Sequence, residues 1–126
     1  MNYNGYRDLK VYQGAYKLAM DIFQITKKFP SEEKYSLVDQ MRRSSRSVPA
    51  NIAEAWKKRL YQKMFISKLI DAAGEAGETE VWLDVSKDTG YLLSNDYDVL
   101  FSGYQDVQRM LNGMIEKSEK FCTKSS

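Results

Sequence analysis

The stretch QMRRSSRSVPANIAEAWKKR, residues 40–59, carries six basic side chains and a single acid. The basic residues form two clusters around a proline: Arg42, Arg43 and Arg46, then Lys57, Lys58 and Arg59. Arginine binds phosphate oxygens through forked N–H donors and lysine binds them as a point charge, while nearby serines add hydroxyl donors. No residue pattern here indicates base reading. The stretch therefore predicts binding to the backbone and shape of RNA or another nucleic acid, weakened by salt.

Other chemistries lack the residues that they need. The chain contains no histidine, which excludes Ser-His-Asp and Cys-His catalysis, and one cysteine, Cys122, which is too few for a zinc site. Neither glycine-rich phosphate loop, GxGxxG or GxxxxGK[ST], is found in the sequence. We therefore expect a protein that is not an enzyme and that holds no metal or other cofactor.

The spacing of apolar residues predicts that the basic residues share an outward helix face. Leu37, Met41, Ser44 and Val48 recur every three or four residues, which is typical of one buried side of a helix. With Met41 at heptad position a, Arg42, Arg43 and Arg46 span about 100° opposite that side. A second seam of Ile52, Trp56 and Leu60 turns Lys57 and Lys58 outward as well. The alternative interpretation is an ordinary solvated or subunit-facing side of a bundle helix.

Pro49 lies inside this helical pattern and has no N–H to donate to the Ser45 carbonyl. The helix is therefore expected to kink, or to break with Ser47 as the N-cap of a new helix. Val48 slightly favours the break, because a residue before proline prefers extended geometry.

Apolar periodicity divides the chain into four helices, and no window alternates with the period of a strand. The first runs from about residue 8 to 29, and the second follows Ser31 as its cap. The third covers about 61–89 before Gly90, and the fourth opens with Asn95 as cap and Asp98 completing a capping box. The fold class is thus all-α, an up-and-down antiparallel four-helix bundle. We expect a single domain over residues 1–126, with an ordered core of about 7–121.

The other three seams are predicted from the same three-and-four spacing. They are Leu9, Tyr12, Tyr16, Ala19, Phe23 and Thr26 in the first helix; Ile66, Leu69, Ala73, Ala76, Glu80 and Leu83 in the third; and Tyr97, Leu100, Tyr104, Val107, Leu111, Met114, Ser118 and Phe121 in the fourth.

The third helix carries two unusual features. Glu80 falls on the apolar seam, where a carboxylate must find hydrogen-bond donors or take up a proton. Val81, Trp82 and Val85 fall outside the seam and predict a homo-oligomer interface, the alternative being a wider core face. Gly74 and Gly77 cost helix stability, which suggests that another helix approaches closely there.

Charge and hydropathy predict where the chain is located and which partners suit it. Residues 1–68 hold 14 Lys or Arg against 6 Asp or Glu, and residues 69–126 hold 5 against 11, giving balances of +8 and −6. Such a split suits an acidic partner or another copy of the chain. No run of apolar residues is long enough to span a membrane, so we expect no membrane partner. The start MNYNGYRDLK lacks the apolar run of a signal peptide, which predicts a cytoplasmic location.

Three segments, LKVYQGAYKLA, FPSEEKYSLVDQMRRSSRSVPANIAEA and ETEVWL before GYL, resemble the four-helix-bundle proteins encoded in intervening sequences of bacterial large-subunit ribosomal RNA genes. The resemblance covers about residues 6–121. It rests most on Gln40, Arg42, Arg43, Ser47, Pro49, Asn51, Ile52, Ala53 and Glu54. One departure is Ala55, where the family usually has glycine, and it suggests that the helix continues further here.

This resemblance implies a small cytoplasmic homopentamer, ribosomal protein-like by gene location, with ribosomal RNA as the expected partner. A related bundle that accompanies reverse transcriptases is associated with nucleic-acid binding through its basic surface. We assign structural roles to Ser47, Pro49, Asn51, Glu54 and Glu80. Two hypotheses result. The chain is an RNA-binding bundle, or it is a homo-oligomeric scaffold whose arginines pair with acids of a neighbouring subunit such as Glu75, Glu78 or Asp84.

Overall fold

The computed structural model describes residues 3–122, which form four α-helices. These are α1 (Lys10–Thr26), α2 (Leu37–Lys57), α3 (Gln62–Asp88) and α4 (Ser94–Glu116), with 3-10 turns at Tyr6–Asp8, Ser31–Glu33 and Ser118–Lys120. No strand occurs among the described residues. Each helix packs on the next one and α4 also packs on α1, so the four enclose one core. The all-α, up-and-down four-helix bundle is confirmed.

The seams predicted for α2 and α4 are the buried sides of those helices. Leu37, Met41, Ser44, Val48, Ile52 and Trp56 are buried in α2, and Leu100, Tyr104, Val107, Leu111 and Met114 in α4. Both helices place apolar side chains at nearly every core position, which is why periodicity alone located them. Leu60 lies beyond the end of α2 and is half exposed.

The seams predicted for α1 and α3 are half right. Leu9, Ala19 and Thr26 of the first seam and Leu69, Ala76 and Leu83 of the third are buried as predicted, but Tyr12, Tyr16, Phe23, Ile66, Ala73 and Glu80 are not, because a neighbouring residue takes the core position. The buried residues are Val11, Ala15, Leu18, Ala19, Ile22 and Thr26 in α1, and Phe65, Leu69, Ala72, Ala76, Thr79, Leu83 and Ser86 in α3. Thr79 and Ser86 tolerate burial because their hydroxyls donate to the carbonyls of Glu75 and Trp82, at 2.9 and 2.7 Å. Such polar and small core residues hide a seam from a hydrophobicity pattern.

Gly90 ends α3 as predicted, with a φ of 84°. Its N–H donates to the Lys87 carbonyl at 3.0 Å, and the Tyr91 N–H donates to the Ser86 carbonyl at 2.9 Å. This pair of bonds is a Schellman motif, which requires the left-handed conformation that glycine adopts without strain.

The two predicted N-caps are wrong. Ser31 opens a 3-10 turn and α2 begins only at Leu37. α4 begins at Ser94 after an extended Leu93, so Asn95 lies in the first turn, and no side chain caps this helix start. The backbone just before each helix is extended or irregular, and α2 therefore begins later, and α4 earlier, than predicted.

α2 runs without interruption through Pro49, so the break is wrong and the kink stays a prediction. The Ser47 hydroxyl donates to the Arg43 carbonyl at 2.9 Å, as a serine inside a helix does, and is not an N-cap. Pro49 and Val48 are both buried, and this packing offsets the one helix hydrogen bond that proline removes.

Glycine permits a close helix approach at Gly103, and this approach joins α1 to α4. A Cβ at Gly103 would lie 2.7 Å from Leu18 Cδ2. By contrast, no atom lies within 4 Å of a Cβ built on Gly74 or Gly77. The close packing predicted for Gly74 and Gly77 therefore does not occur within the described chain, and this side of α3 is open.

Candidate nucleic-acid interface

Arg42 is held against α1 and does not share the outward direction expected for it. Its Nε donates to Thr26 Oγ1 at 3.0 Å and its NH2 group to the Phe23 carbonyl at 3.2 Å. The guanidinium carbon lies 4.5 Å from the centre of the Phe23 ring. Because Phe23 and Thr26 belong to the last turn of α1, Arg42 supplies a positive charge at the negative end of that helix dipole.

Arg43 bridges α2 to two acids of α3. It forms an ion pair with Glu75 at 3.3 Å and a second one with Glu78. Glu78 also accepts the indole N–H of Trp82 at 3.0 Å. The guanidinium of Arg43, followed by the Trp82 N–H, lowers the pKa of Glu78, and hydrogen bonding to Glu78 raises the pKa of Arg43. Two of the three acids expected to meet an arginine across subunits, Glu75 and Glu78, thus meet it within the chain. The third, Asp84, accepts from the Tyr97 hydroxyl at 2.6 Å.

Arg46 is exposed and makes no hydrogen bond or ion pair with any described residue. It lies between Arg42 and Arg43 on the rim of a shallow concave surface of about 570 Å³ on the outside of α2. Asp39, Ser47 and Ala50 complete the lining of this surface. Of the three arginines, only Arg46 has its whole fork of donors available to a ligand.

The three residues of the second basic cluster, Lys57, Lys58 and Arg59, also differ in their internal contacts. Arg59 folds back over the Trp56 ring, 3.7 Å from its centre, and donates to the Trp56 carbonyl at 2.9 Å. The Lys57 ammonium lies 5.9 Å from the centre of the Tyr6 ring and makes no ion pair with a described residue. Lys58 likewise has no ion-pair partner in the described chain, although it lowers the pKa of Glu54 slightly. Lys57 and Lys58 therefore remain available to an anion.

The residues given structural roles make local contacts. Asn51 donates to the Ser47 carbonyl at 2.8 Å, and Glu54 accepts from Lys68 of α3 at 2.7 Å. Hydrogen bonding to Lys68 is the main cause that lowers the pKa of Glu54. The Asn51 bond lies within α2, and the Glu54–Lys68 pair ties the second half of α2 to α3.

Glu80 finds its donors on α4. Its two carboxylate oxygens accept from Gln105 and Gln108 Nε2, each at 3.0 Å, and Gln108 also donates to the Ala73 carbonyl at 3.0 Å. A half-buried carboxylate is thereby paired through two side-chain amides. This network joins α3 to α4. The spacing of residues along one helix does not predict it, because the donors and the acceptor lie on different helices.

The outer patch predicted on α3 is only partly exposed. Val81 is 52% exposed. Trp82 and Val85 are half-buried and pack against the core, as the wider-face alternative expects. The exposed apolar residues on this side of α3 are instead Ile70 and Val81, which flank Gly74 and Gly77.

Sequence reasoning missed an aromatic row beside the basic face. Tyr6, Tyr12 and Tyr16 follow one another along the start of the chain, with ring centres 5.0 and 6.0 Å apart. The periodicity assigned Tyr12 and Tyr16 to the core, but Tyr16 is 49% exposed. Ala15 and Ala19 take buried positions of α1. These small residues were the signal in the sequence that the neighbouring tyrosines form a separate row outside the core.

No group of three or more His, Cys, Asp or Glu among residues 3–122 is placed to hold a metal ion. None of the described helices combines the length and the apolar character needed to cross a membrane.

Comparison with known proteins identifies the family. Residues 7–113 match the family model described as 23S rRNA-intervening sequence protein. The chain belongs to this family. The matched region begins before α1 and ends in the last turn of α4, so it includes the whole basic face of α2.

A solved member of the S23 ribosomal protein family shares the fold. This crystal structure of a protein with unknown function, from Bacteroides thetaiotaomicron, aligns with a TM-score of 0.76 and 30% sequence identity. The alignment covers 84% of this chain and 95% of the other. No curated protein matches the chain.

Within the 23S rRNA-intervening sequence protein family, Ala55 was expected to let α2 continue. Ala55 is completely buried, and α2 ends two residues after it, at Lys57. Lys57 and Lys58 therefore lie at the end of the same helix that carries Arg46.

Proposed function

We propose that this chain is a non-enzymatic, homo-oligomeric bundle that binds RNA through the outer face of α2. The observation that carries the proposal is that Arg46, Lys57 and Lys58 have no ion-pair partner among the described residues. Cations without an ion pair present donors to phosphate at little cost, because the ring contacts of Arg46 with Phe23 and of Lys57 with Tyr6 are long, at 6.0 and 5.9 Å. Membership of the 23S rRNA-intervening sequence protein family makes structured ribosomal RNA the first partner to test.

The internal contacts rank the predicted binding residues. Arg42, Arg43 and Arg59 already donate to α1, α3 and Trp56, so recruiting them to phosphate costs part of those contacts. We therefore assign the main phosphate contacts to Arg46, Lys57 and Lys58. Arg42 and Arg59, which pair with no carboxylate among the described residues, add positive potential, which attracts RNA over a distance of about a Debye length, roughly 10 Å at 0.1 M salt. The charge of Arg43 is offset by Glu75 and Glu78.

The test is electrophoretic mobility shift with a structured ribosomal RNA fragment at low and at higher salt. A triple variant, Arg46→Ala, Lys57→Ala and Lys58→Ala, is expected to lose most of its affinity. The matched control replaces Lys63, Lys87 and Lys117, which lie on the α3–α4 half, and removes the same charge. Equal binding by the two triple variants, or no binding by the wild type at low salt, would contradict the proposal.

A protein-interaction scaffold is the second candidate function. Its support is the open side of α3, where Ile70 and Val81 are more than half exposed around two glycines. Two of the acids first expected to receive these arginine contacts, Glu75 and Glu78, already pair with Arg43 within the chain. Self-association of the scaffold would therefore use apolar contacts of α3 in place of arginine pairs.

A further inference from the structure

Tyr6, Tyr12, Tyr16 and Met20 line one side of a groove between α1 and α2, which we call the tyrosine groove. The other side includes Arg46 and Ala50, and the open space is about 300 Å³. Tyr16 is 49% exposed and Met20 is 39% exposed. Tyr6 and Tyr12 are half-buried and pack against the core, so Tyr16 presents the most exposed ring of the three.

The groove has the dimensions and the chemistry of a stacking site. The Tyr6 and Tyr12 rings meet edge to face, with centres 5.0 Å apart. The Tyr12 and Tyr16 rings have centres 6.0 Å apart and are tilted by 33°, so these two form a short aromatic surface. Alanines 50 and 53 and Pro49 form the opposite wall, and their short side chains leave room for a planar group beside the rings. Aromatic side chains in such positions bind unpaired bases by stacking, because every base has a π face.

The charges around the groove favour an anionic partner. Arg46 lies on its edge without an ion-pair partner among the described residues, and no carboxylate lines it. At the other end, the Arg7 guanidinium carbon lies 4.9 Å and the Lys57 ammonium 5.9 Å from the centre of the Tyr6 ring. A neutral or basic protein segment would gain little from these cations. A nucleic-acid strand would place its phosphates on them and its bases on the rings.

We propose that the tyrosine groove binds single-stranded nucleic acid by stacking unpaired bases on Tyr12 and Tyr16, with Arg46 and Lys57 holding the flanking phosphates. This inference rests on the proposed function and narrows it to a substrate class. A duplex keeps its bases inside the stack and offers only its backbone and grooves to this surface. The chain should therefore prefer unpaired RNA, such as a loop, to a perfect duplex.

Fluorescence anisotropy tests the preference with a labelled single-stranded RNA of about a dozen nucleotides, alone and annealed to its complement. We expect tighter binding of the single strand. The Tyr12→Leu, Tyr16→Leu variant should lose about tenfold or more of its affinity for that strand, with little change for the duplex. The Tyr12→Phe, Tyr16→Phe variant should keep its affinity, since phenylalanine stacks as well. The matched control is Tyr35→Leu, because Tyr35 is 84% exposed and also lies beside a lysine but outside the groove.

The outcomes separate this inference from the proposed function. Single-strand binding that survives the double leucine variant but is lost by the Arg46, Lys57 and Lys58 variant overturns the groove and leaves RNA binding intact. Absence of binding to either RNA overturns both. If the double leucine variant sediments differently from the wild type but binds RNA with the same affinity, the groove is a protein interface and the inference is overturned. The single variant Tyr16→Leu repeats the test at the more exposed ring if the double variant unfolds.

Discussion

The Glu78 carboxylate is the point where α2, α3 and an indole meet. It accepts from Arg43 and from Trp82, and these contacts lower its pKa below the ordinary 4.5. A carboxylate with a depressed folded-state pKa stabilises the fold above the unfolded pKa, and this stabilisation is lost as pH falls through the lower folded value. Because both side chains are a third or more exposed, we expect a contribution of at most about 1 kcal/mol.

Replacing Glu78 by glutamine tests this linkage. The variant should unfold at lower urea concentration than the wild type at neutral pH, and the difference should shrink between about pH 5 and about pH 3. Glu33 and Glu54 also have lowered pKa values and contribute to the pH dependence of the wild-type stability. The difference in stability between wild type and variant at each pH therefore reports on Glu78. Glu116→Gln is the control, since Glu116 is exposed and makes no ion pair with a described residue. A gap between wild type and variant that does not depend on pH would contradict the assignment.

A second residue-scale prediction concerns the hydroxyl pair inside the core. Ser44 of α2 and Thr79 of α3 are fully buried, with their hydroxyl oxygens 2.8 Å apart. Thr79→Val keeps the shape and leaves Ser44 with only a long contact of 3.5 Å to the Met41 carbonyl. We expect a loss of about 1 to 2 kcal/mol in the free energy of unfolding, measured by urea denaturation. Thr89→Val makes the same change at an exposed site and should cost far less; equal losses would rule out the buried pair as the cause.

At the scale of the helices, two glycines should respond to alanine with opposite signs. Gly90→Ala forces a Cβ into a φ of 84° and should cost about 1 kcal/mol. Gly14→Ala lies inside α1, where the new methyl would meet Met110 Cε and Val107 Cγ2 at 3.9 Å, an ordinary contact. The better helix propensity of alanine should then raise the stability by up to about 1 kcal/mol. Thermal and urea unfolding of both variants check the signs, and a stabilised Gly90→Ala would contradict the left-handed helix end.

The helices also show what a sequence pattern determines. The seams of α2 and α4 follow from apolar residues at core positions, and the bundle follows from four such helices with short connections. Half of the α3 seam follows in the same way, at Leu69, Ala76 and Leu83. The rest does not, because Thr79 and Ser86 become core residues only when their hydroxyls bond to the preceding turn. The partners of Arg43 were equally hidden. Glu75 lies 32 residues away, and only the register between α2 and α3 brings the two together.

Across the whole molecule, charge separates by helix pair. The first half of the chain carries the basic excess and the second half the acidic excess, and the pairs of Arg43 with Glu75 and of Lys68 with Glu54 lie where α2 meets α3. The basic potential that remains is directed away from that junction, toward α1 and the outer side of α2. A polyanion approaching the molecule would be steered to this side.

This arrangement predicts the salt dependence of RNA binding. Three phosphate contacts per chain, made by Arg46, Lys57 and Lys58, should give a slope of log affinity against log salt of about −2 to −3. Arg46→Ala should reduce the magnitude of the slope by about one contact's share, roughly 0.7 to 0.9. Anisotropy titrations at several salt concentrations measure both values. An unchanged slope in the variant would mean that Arg46 does not contact phosphate.

Self-association is the second property proposed for the whole molecule, and the open side of α3 is the surface proposed for it. Ile70, Gly74, Gly77 and Val81 follow a four-three-four spacing on the open side of the helix, with Ile70 and Val81 55% and 52% exposed. Small residues between apolar ones let a second helix approach closely, and a charge buried in that contact would be costly.

Ile70→Glu and Val81→Glu should therefore shift the proposed oligomer toward the monomer. Sedimentation velocity at micromolar protein measures the shift. Val99→Glu places the same charge at a 70% exposed apolar site on α4 and should leave the mass unchanged. Val81 of α3 and Val99 of α4 are both exposed valines. A different effect of glutamate at the two sites would therefore report a partner bound to α3. An oligomer that survives both α3 variants must use another surface, and a monomeric wild type would show that the open side of α3 is not a self-association surface.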